Sequence, residues 1–115
     1  MRALRITGTA GLVSGCVFTL DPGGEAELGR SRACSLSLHS LDRSAGLGAR
    51  SFRTVSRRHV RIRFLPGGEL EITDRSRHGT FLDGDRIETA VLTDLAEKPH
   101  TLRLGAVDTF RLDLA

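Results

Sequence analysis

Apolar residues recur at every second position through most of this 115-residue chain. Leu4 and Ile6 alternate with Arg5 and Thr7. Val60, Ile62 and Phe64 alternate with Arg61 and Arg63. Leu70 and Ile72 alternate with Glu69, Glu71 and Thr73, and Leu102 and Leu104 flank Arg103. Phe110, Leu112 and Leu114 alternate with Arg111 and Asp113. A two-residue period puts one set of side chains on each side of an extended chain, so each segment reads as a strand with one buried and one wet face. Turn-forming residues separate them: Asp21-Pro22-Gly23-Gly24, Pro66-Gly67-Gly68 and Asp83-Gly84. Short strands at this spacing predict an all-β, two-sheet β-sandwich. We expect one domain over residues 3–115, since two cores in so short a chain would each be marginal. The one helical expectation is a short turn within Val91 to Glu97.

Composition narrows the function classes. The chain is 39% hydrophobic and 27% charged, which argues against intrinsic disorder. No apolar run approaches the roughly 20 residues that span a bilayer. Two cysteines allow one disulfide at most, so this is no disulfide scaffold and a reducing compartment is expected. Val13-Ser14-Gly15-Cys16 has the look of a lipoprotein cleavage box, but the Gly- and Thr-rich residues before it make a poor hydrophobic signal region. Cys16, Phe18 and Leu20 read instead as one face of a strand, and we expect a cytoplasmic chain. The net charge of +3 is unevenly spread. Residues 29–63 carry nine arginines against Asp42, while the remainder carries eight bases and thirteen acids. An anion-binding surface should draw on that middle segment. All but one of the basic residues are Arg, which suits forked recognition of carboxylates and phosphates, although a GC-rich genome gives the same bias.

One stretch breaks the alternation. His39 to Val55 is rich in Ser, Gly and Arg and includes Arg43, Arg50 and Arg53. So long a basic loop inside a small domain is expected to be functional or mobile. On either side of it stand three motifs at strand ends: Gly29-Arg30-Ser31, Ser56-Arg57-Arg58-His59, and Ser76-Arg77-His78-Gly79-Thr80. Each joins an Arg to a nearby hydroxyl. Arg offers permanent charge and a fork of donors, Ser donates to a phosphate oxygen, and Gly lets a backbone come close. The chemistry is that of a socket for an oxyanion at the tips of the sandwich.

In order and spacing these motifs resemble those of the forkhead-associated (FHA) domain, a phosphothreonine-peptide reader. The resemblance runs from Leu4 to Leu114. It includes the Gly15-to-Leu20 strand and the Asp21-to-Gly24 turn before Gly29-Arg30. Ser56 and His59 match a Ser-x-x-His, and residues 76–80 a Ser-x-Asn-Gly-Thr. Leu102 to Gly105 followed by Asp108-Thr109-Phe110 is similar to the closing hairpin. The resemblance implies a twisted sandwich with the phosphopeptide lying across loops at one end. It implies that Arg30 pairs with the phosphate, that Ser56 donates its hydroxyl to it, and that Arg57 adds charge or a backbone N–H. Arg77 and His78 would meet the phosphate and the peptide backbone. Gly29, His59 and Gly79 would support the loops. Two departures stand out: His78 occupies the place of an Asn and lacks its two-sided amide geometry, and the 39–55 stretch is longer than the usual connection.

The resemblance implies a binding module rather than an enzyme, with no cofactor and no small-molecule substrate. Its partner would be a phosphothreonine-containing protein in Ser/Thr kinase signalling. Other readings of the same residues remain open. Arg30 could brace a turn by pairing with Glu25. The fold could serve a phospho-independent interaction with a degenerate site. The arginines could bind nucleic acid, although the chain has no Trp or Tyr, and Asp74, Asp83, Asp85 and Glu88 would repel a polyanion near the third motif. His59 has no neighbours in sequence that complete a nucleophile triad. Cys16, Cys34, His39 and His59 lack zinc-ligand spacing, so no metal is expected.

Overall fold

The computed structural model describes residues 2–38 and 54–115. Eleven strands follow in chain order: β1 (Leu4–Ala10), β2 (Val17–Leu20), β3 (Glu25–Gly29), β4 (Leu36–Ser37), β5 (Val60–Phe64), β6 (Leu70–Asp74), β7 (Thr80–Leu82), β8 (Asp85–Ile87), β9 (Thr89–Leu92), β10 (His100–Leu104) and β11 (Asp108–Leu114). They form a six-stranded sheet, β2-β1-β11-β10-β7-β8, and a five-stranded sheet, β4-β3-β5-β6-β9. Every pairing is antiparallel except β3 with β4, where Leu28 sits opposite Leu36 in parallel register. The result is the all-β sandwich that the alternation predicts.

The buried faces are the apolar sets named above. Leu4, Ile6, Leu102, Leu104, Phe110 and Leu112 of one sheet and Leu28, Val60, Ile62, Phe64, Leu70 and Ile72 of the other are all essentially inaccessible and form one core. Each such side chain contributes roughly 1.5–3 kcal/mol relative to exposure. Phe18 and Leu20 pack against this core from the edge strand β2. The short turn expected within Val91 to Glu97 is confined to its C-terminal part. Val91 and Leu92 belong to β9, where Leu92 is buried opposite Leu70. Beyond them the Asp94 carbonyl accepts the N–H groups of Glu97 and Lys98, which makes a single helical turn.

The two ends of the sandwich differ in chemistry. At the end where β10 begins, His100 is almost wholly buried and both ring nitrogens meet carboxylates, Nδ1 with Asp83 at 2.5 Å and Nε2 with Asp94 at 2.6 Å. Asp83 also accepts the Thr101 N–H, and Lys98 lies 3.7 Å from Asp94. Burial disfavours the imidazolium, but the two carboxylates outweigh it and the His100 pKa is raised. The folded chain therefore holds this proton more tightly than the unfolded chain does. The stabilisation is complete below the usual imidazole value of about 6.5 and is lost as pH rises through the raised pKa. We predict that His100→Gln lowers stability by about 1–3 kcal/mol near pH 6. The gap between the parent and variant melting temperatures should then narrow as pH is raised to about 9. A gap that stays constant over that range would show that the imidazolium contributes nothing.

Candidate functional site

The opposite end carries the three motif loops, and main-chain bonds join them. The Arg30 N–H donates to the Ser56 carbonyl at 3.0 Å and the Ser31 N–H to the Arg57 carbonyl at 2.9 Å. Such close approach of two backbones needs Gly29, because a Cβ there would run into the Arg57 carbonyl. The third loop joins through Ser56, whose Oγ accepts the Arg77 N–H at 2.9 Å. Among the described residues its own O–H proton meets no acceptor.

His59 holds the arrangement from beneath and is fully buried. Its Nδ1 accepts the Ser56 N–H at 3.0 Å, and its Nε2 lies 2.7 Å from the Gly79 carbonyl. This pair of partners fixes the tautomer with the proton on Nε2. Burial is the chief cause that pushes the His59 pKa down, so the ring is neutral at pH 7. The Gly79 carbonyl also accepts the Gly105 N–H at 3.0 Å, and Gly79 turns the chain with φ +99°. At this one oxygen the five-stranded sheet, through His59, meets the six-stranded sheet.

The third loop is folded by its own side chains. Asp74 Oδ1 accepts the Ser76 N–H, the Ser76 hydroxyl and the Thr80 hydroxyl, and Ser76 Oγ accepts the Gly79 N–H. Burial alone would raise the Asp74 carboxyl, but these donors outweigh it and hold its pKa low. Sequence reasoning missed Asp74 and Thr80 as organisers. The Asp-x-Ser spacing of an Asx turn was the available signal. It also missed Cys34, which lies buried against the first two loops and donates its thiol to the Arg57 carbonyl at 3.1 Å. Likewise Thr54, at the start of the second loop, accepts the Ala106 N–H and ties that loop to the β10–β11 turn.

The charges of this end divide into two groups. Arg58 pairs with Glu27 at 2.6 Å, Arg61 with Glu25 at 2.8 Å, and Arg63 with Glu71 at 3.2 Å; Arg75 lies 3.8 Å from Glu27. Arg30, Arg57 and Arg77 are exposed and have no carboxylate partner among the described residues. Glu25 is taken by Arg61 and Arg63, so the bracing of Arg30 by Glu25 that the sequence allowed is not what the fold makes. Instead Arg30 Nε donates to the Val55 carbonyl at 2.5 Å. That bond fixes the guanidinium while both terminal amino groups stay free of the Nε contact. His78 is exposed on the same loop as Arg77. The basic residues Arg43, Arg50 and Arg53 lie outside the described residues, as does most of the 39–55 stretch. Among the described residues no group of three or more His, Cys, Asp or Glu is placed to hold a metal ion. No described helix is long and apolar enough to cross a membrane.

Chemically, this is a hydrogen-bonded cluster of donors and cations in which Arg30, Arg57 and Arg77 face no carboxylate among the described residues. A family model described as the FHA domain matches residues 26–106. No curated protein matches the chain. Solved structures do. The FHA domain of the CT664 protein from Chlamydia trachomatis is 21% identical, with a TM-score of 0.75 and 96% of each chain covered. An FHA domain of a hypothetical protein from Arabidopsis thaliana is 20% identical, with a TM-score of 0.77, over 100% of this chain and 87% of that one. The N-terminal FHA domain of Rad53p from S. cerevisiae, solved with a phosphothreonine peptide, is 17% identical, with a TM-score of 0.71, over 98% of this chain and 94% of that one. At these identities the structures speak to the fold alone. The family match spans all three motif loops and the strands that carry them, and the chain belongs to the FHA domain family.

Proposed function

We propose that residues 3–115 act as one phosphothreonine-peptide-binding module, with Arg30, Ser56, Arg57, Arg77 and His78 facing the ligand and Gly29, His59 and Gly79 supporting them. The observation that carries this reading is that, among the described residues, Arg30, Arg57 and Arg77 have no carboxylate partner and the Ser56 hydroxyl beside them gives its proton to no acceptor. A phosphate carries about −1.5 to −2 charges at pH 7 and several acceptor oxygens, so it complements such a set. The Arg30 fork and the Arg57 and Arg77 charges oppose the dianion, and the Ser56 hydroxyl donates to one of its oxygens. His78, next to Arg77, stands where it can touch the peptide main chain. FHA domains are interaction modules, and the reading requires neither catalysis nor a cofactor. His59 already spends both ring nitrogens on the main chain, so it has no free site for general-base work. We place the module in a reducing, cytoplasmic compartment, where Cys34 keeps the thiol that bonds the Arg57 carbonyl. Its partners would be proteins phosphorylated on threonine by Ser/Thr kinases. The relatives solved with ligands are in keeping with this: the Rad53p domain holds a phosphothreonine peptide, and an FhaA FHA domain is complexed with the intracellular domain of Rv3910.

The test is titration with an oriented phosphothreonine peptide library, beside the same library unphosphorylated and with Asp at the central position. We predict that binding requires the phosphate and that Asp does not replace it, because one planar carboxylate has less charge and fewer acceptor oxygens. Equal binding of all three libraries would instead favour a phospho-independent interaction.

A further inference from the structure

The outer face of the six-stranded sheet is basic, and no part of the reading above uses it. Cross-strand register places Arg86, Phe81, Arg103 and Thr109 in one row over β8, β7, β10 and β11. The neighbouring row holds Thr101, Arg111 and Thr7, and the next holds Asp113 and Arg5. Among the described residues four arginines thus share this face with a single carboxylate, and that one is engaged: Asp113 takes two bonds from Arg5, at 2.7 and 3.0 Å, and lies 3.7 Å from Arg111. Asp83 is turned away to His100 and Thr101. The other sheet is different, since its outward Arg61 and Arg63 are matched by Glu25, Glu27 and Glu71 across the strands. Arg111 is 56% exposed, Arg86 is exposed, and the Arg103 guanidinium lies 4.2 Å over the Phe81 ring.

This row begins at the phosphate loops. A Cβ on Gly79 would meet Arg86 Nε at 2.9 Å, so the Arg86 side chain lies against the third motif at Gly79. We infer that the Arg86–Arg103–Arg111 face is a second recognition surface, which takes an acidic stretch of the same polypeptide that carries the phosphothreonine. The inference rests on the reading proposed above. Charge complementarity and continuity with the loops favour this occupant. A nucleic acid is the poorer match, because the one aromatic ring on the face among the described residues, Phe81, already has Arg103 on it. From β8 to β11 is three strand spacings, about 14 Å, which an extended peptide crosses in about five residues.

The experiment uses one phosphothreonine peptide selected from the library, extended by about five Glu or about five Gln on either its N- or C-terminal side. One of the Glu peptides should bind about fivefold tighter than its Gln twin, the gain of two exposed ion pairs, and the ratio should shrink as salt is raised. In the double variant Arg86→Gln/Arg111→Gln, which leaves Arg103 packed on Phe81, the ratio should fall to about one. Equal affinities for Glu and Gln peptides, or a ratio that survives the double variant, would overturn the inference and leave the phosphothreonine reading intact. A short single-stranded DNA that binds as tightly as the Glu peptide, and loses binding in the same variant, would reassign the face to nucleic acid and overturn it too. If the Gln peptides do not bind at all, the phosphothreonine reading fails and this inference falls with it.

Discussion

Replacing Arg30 by alanine should abolish measurable phosphopeptide binding while the protein stays folded. The lost contact is charge-assisted and made to a dianion, so roughly 1.5–3 kcal/mol or more of binding free energy goes with it. The cost to the fold is smaller. Arg30 is exposed and has no ion pair among the described residues; among them its one side-chain bond is from Nε to the Val55 carbonyl. Losing that bond should cost about 1 kcal/mol and a few degrees of melting temperature. Arg30→Lys sharpens the test. A lysine keeps the charge, but it cannot hold the Val55 carbonyl with one nitrogen and present a fork with two others. It should therefore bind much more weakly than the parent despite an unchanged net charge. Isothermal titration beside a thermal melt reads both quantities. An Arg30→Ala protein that binds like the parent would remove this residue from the site, and one that melts like an unfolded chain would make it a structural residue.

His59→Ala should do the reverse, with its first effect on stability. The substitution empties a fully buried position and strips the Ser56 N–H of its acceptor. The Gly79 carbonyl keeps only the Gly105 N–H. A cavity and an unpaired buried donor together should cost about 3–5 kcal/mol, a large part of the 5–15 kcal/mol that holds a typical domain together. Binding weakens as a consequence, since Ser56 and the third loop lose their common anchor. His59→Gln separates the causes. Its amide can restore one of the two bonds, so it should recover part of the stability. If His59→Ala melts with the parent, the three loops are held by their main-chain bonds alone.

How much of this was legible beforehand depended on how local each signal is. A period of two needs only a few residues to declare itself, so the long strands β1, β5, β6, β10 and β11 could be read directly. The three-residue β8 and the two-residue β4 are too short to show a period, and their pairing is set by neighbours distant in sequence. That the turn expected within Val91 to Glu97 starts only at Asp94 has a definite source. Leu92 and Leu95 are both buried and three apart, a spacing that mimics a helix face, whereas Leu92 ends a strand and Leu95 lies in the turn after it. The loops behave likewise. The three motifs could be read as Arg and Ser beside Gly at strand ends, and the fold gathers Arg30, Ser56, Arg57 and Arg77 at one end. That Arg30 reaches Val55 rather than Glu25 could not be read, because it depends on Arg61 and Arg63 claiming Glu25 across the sheet. Nor could the bonds of Asp74, since they depend on how one loop closes on itself.

The double acceptance at the Gly79 carbonyl has a thermodynamic consequence. One oxygen receives the His59 ring from one sheet and the Gly105 main chain from the other, and the loops joined there come from three separate connections along the chain. No short segment contains the cluster, so a partly folded chain has nothing with which to hold a ligand. Any molecule bound there is bound by the native state alone, and mass action then protects the whole sandwich. At a hundred times its dissociation constant such a ligand adds about 2.7 kcal/mol to unfolding, which is felt by both sheets at once and not only by the loops it touches.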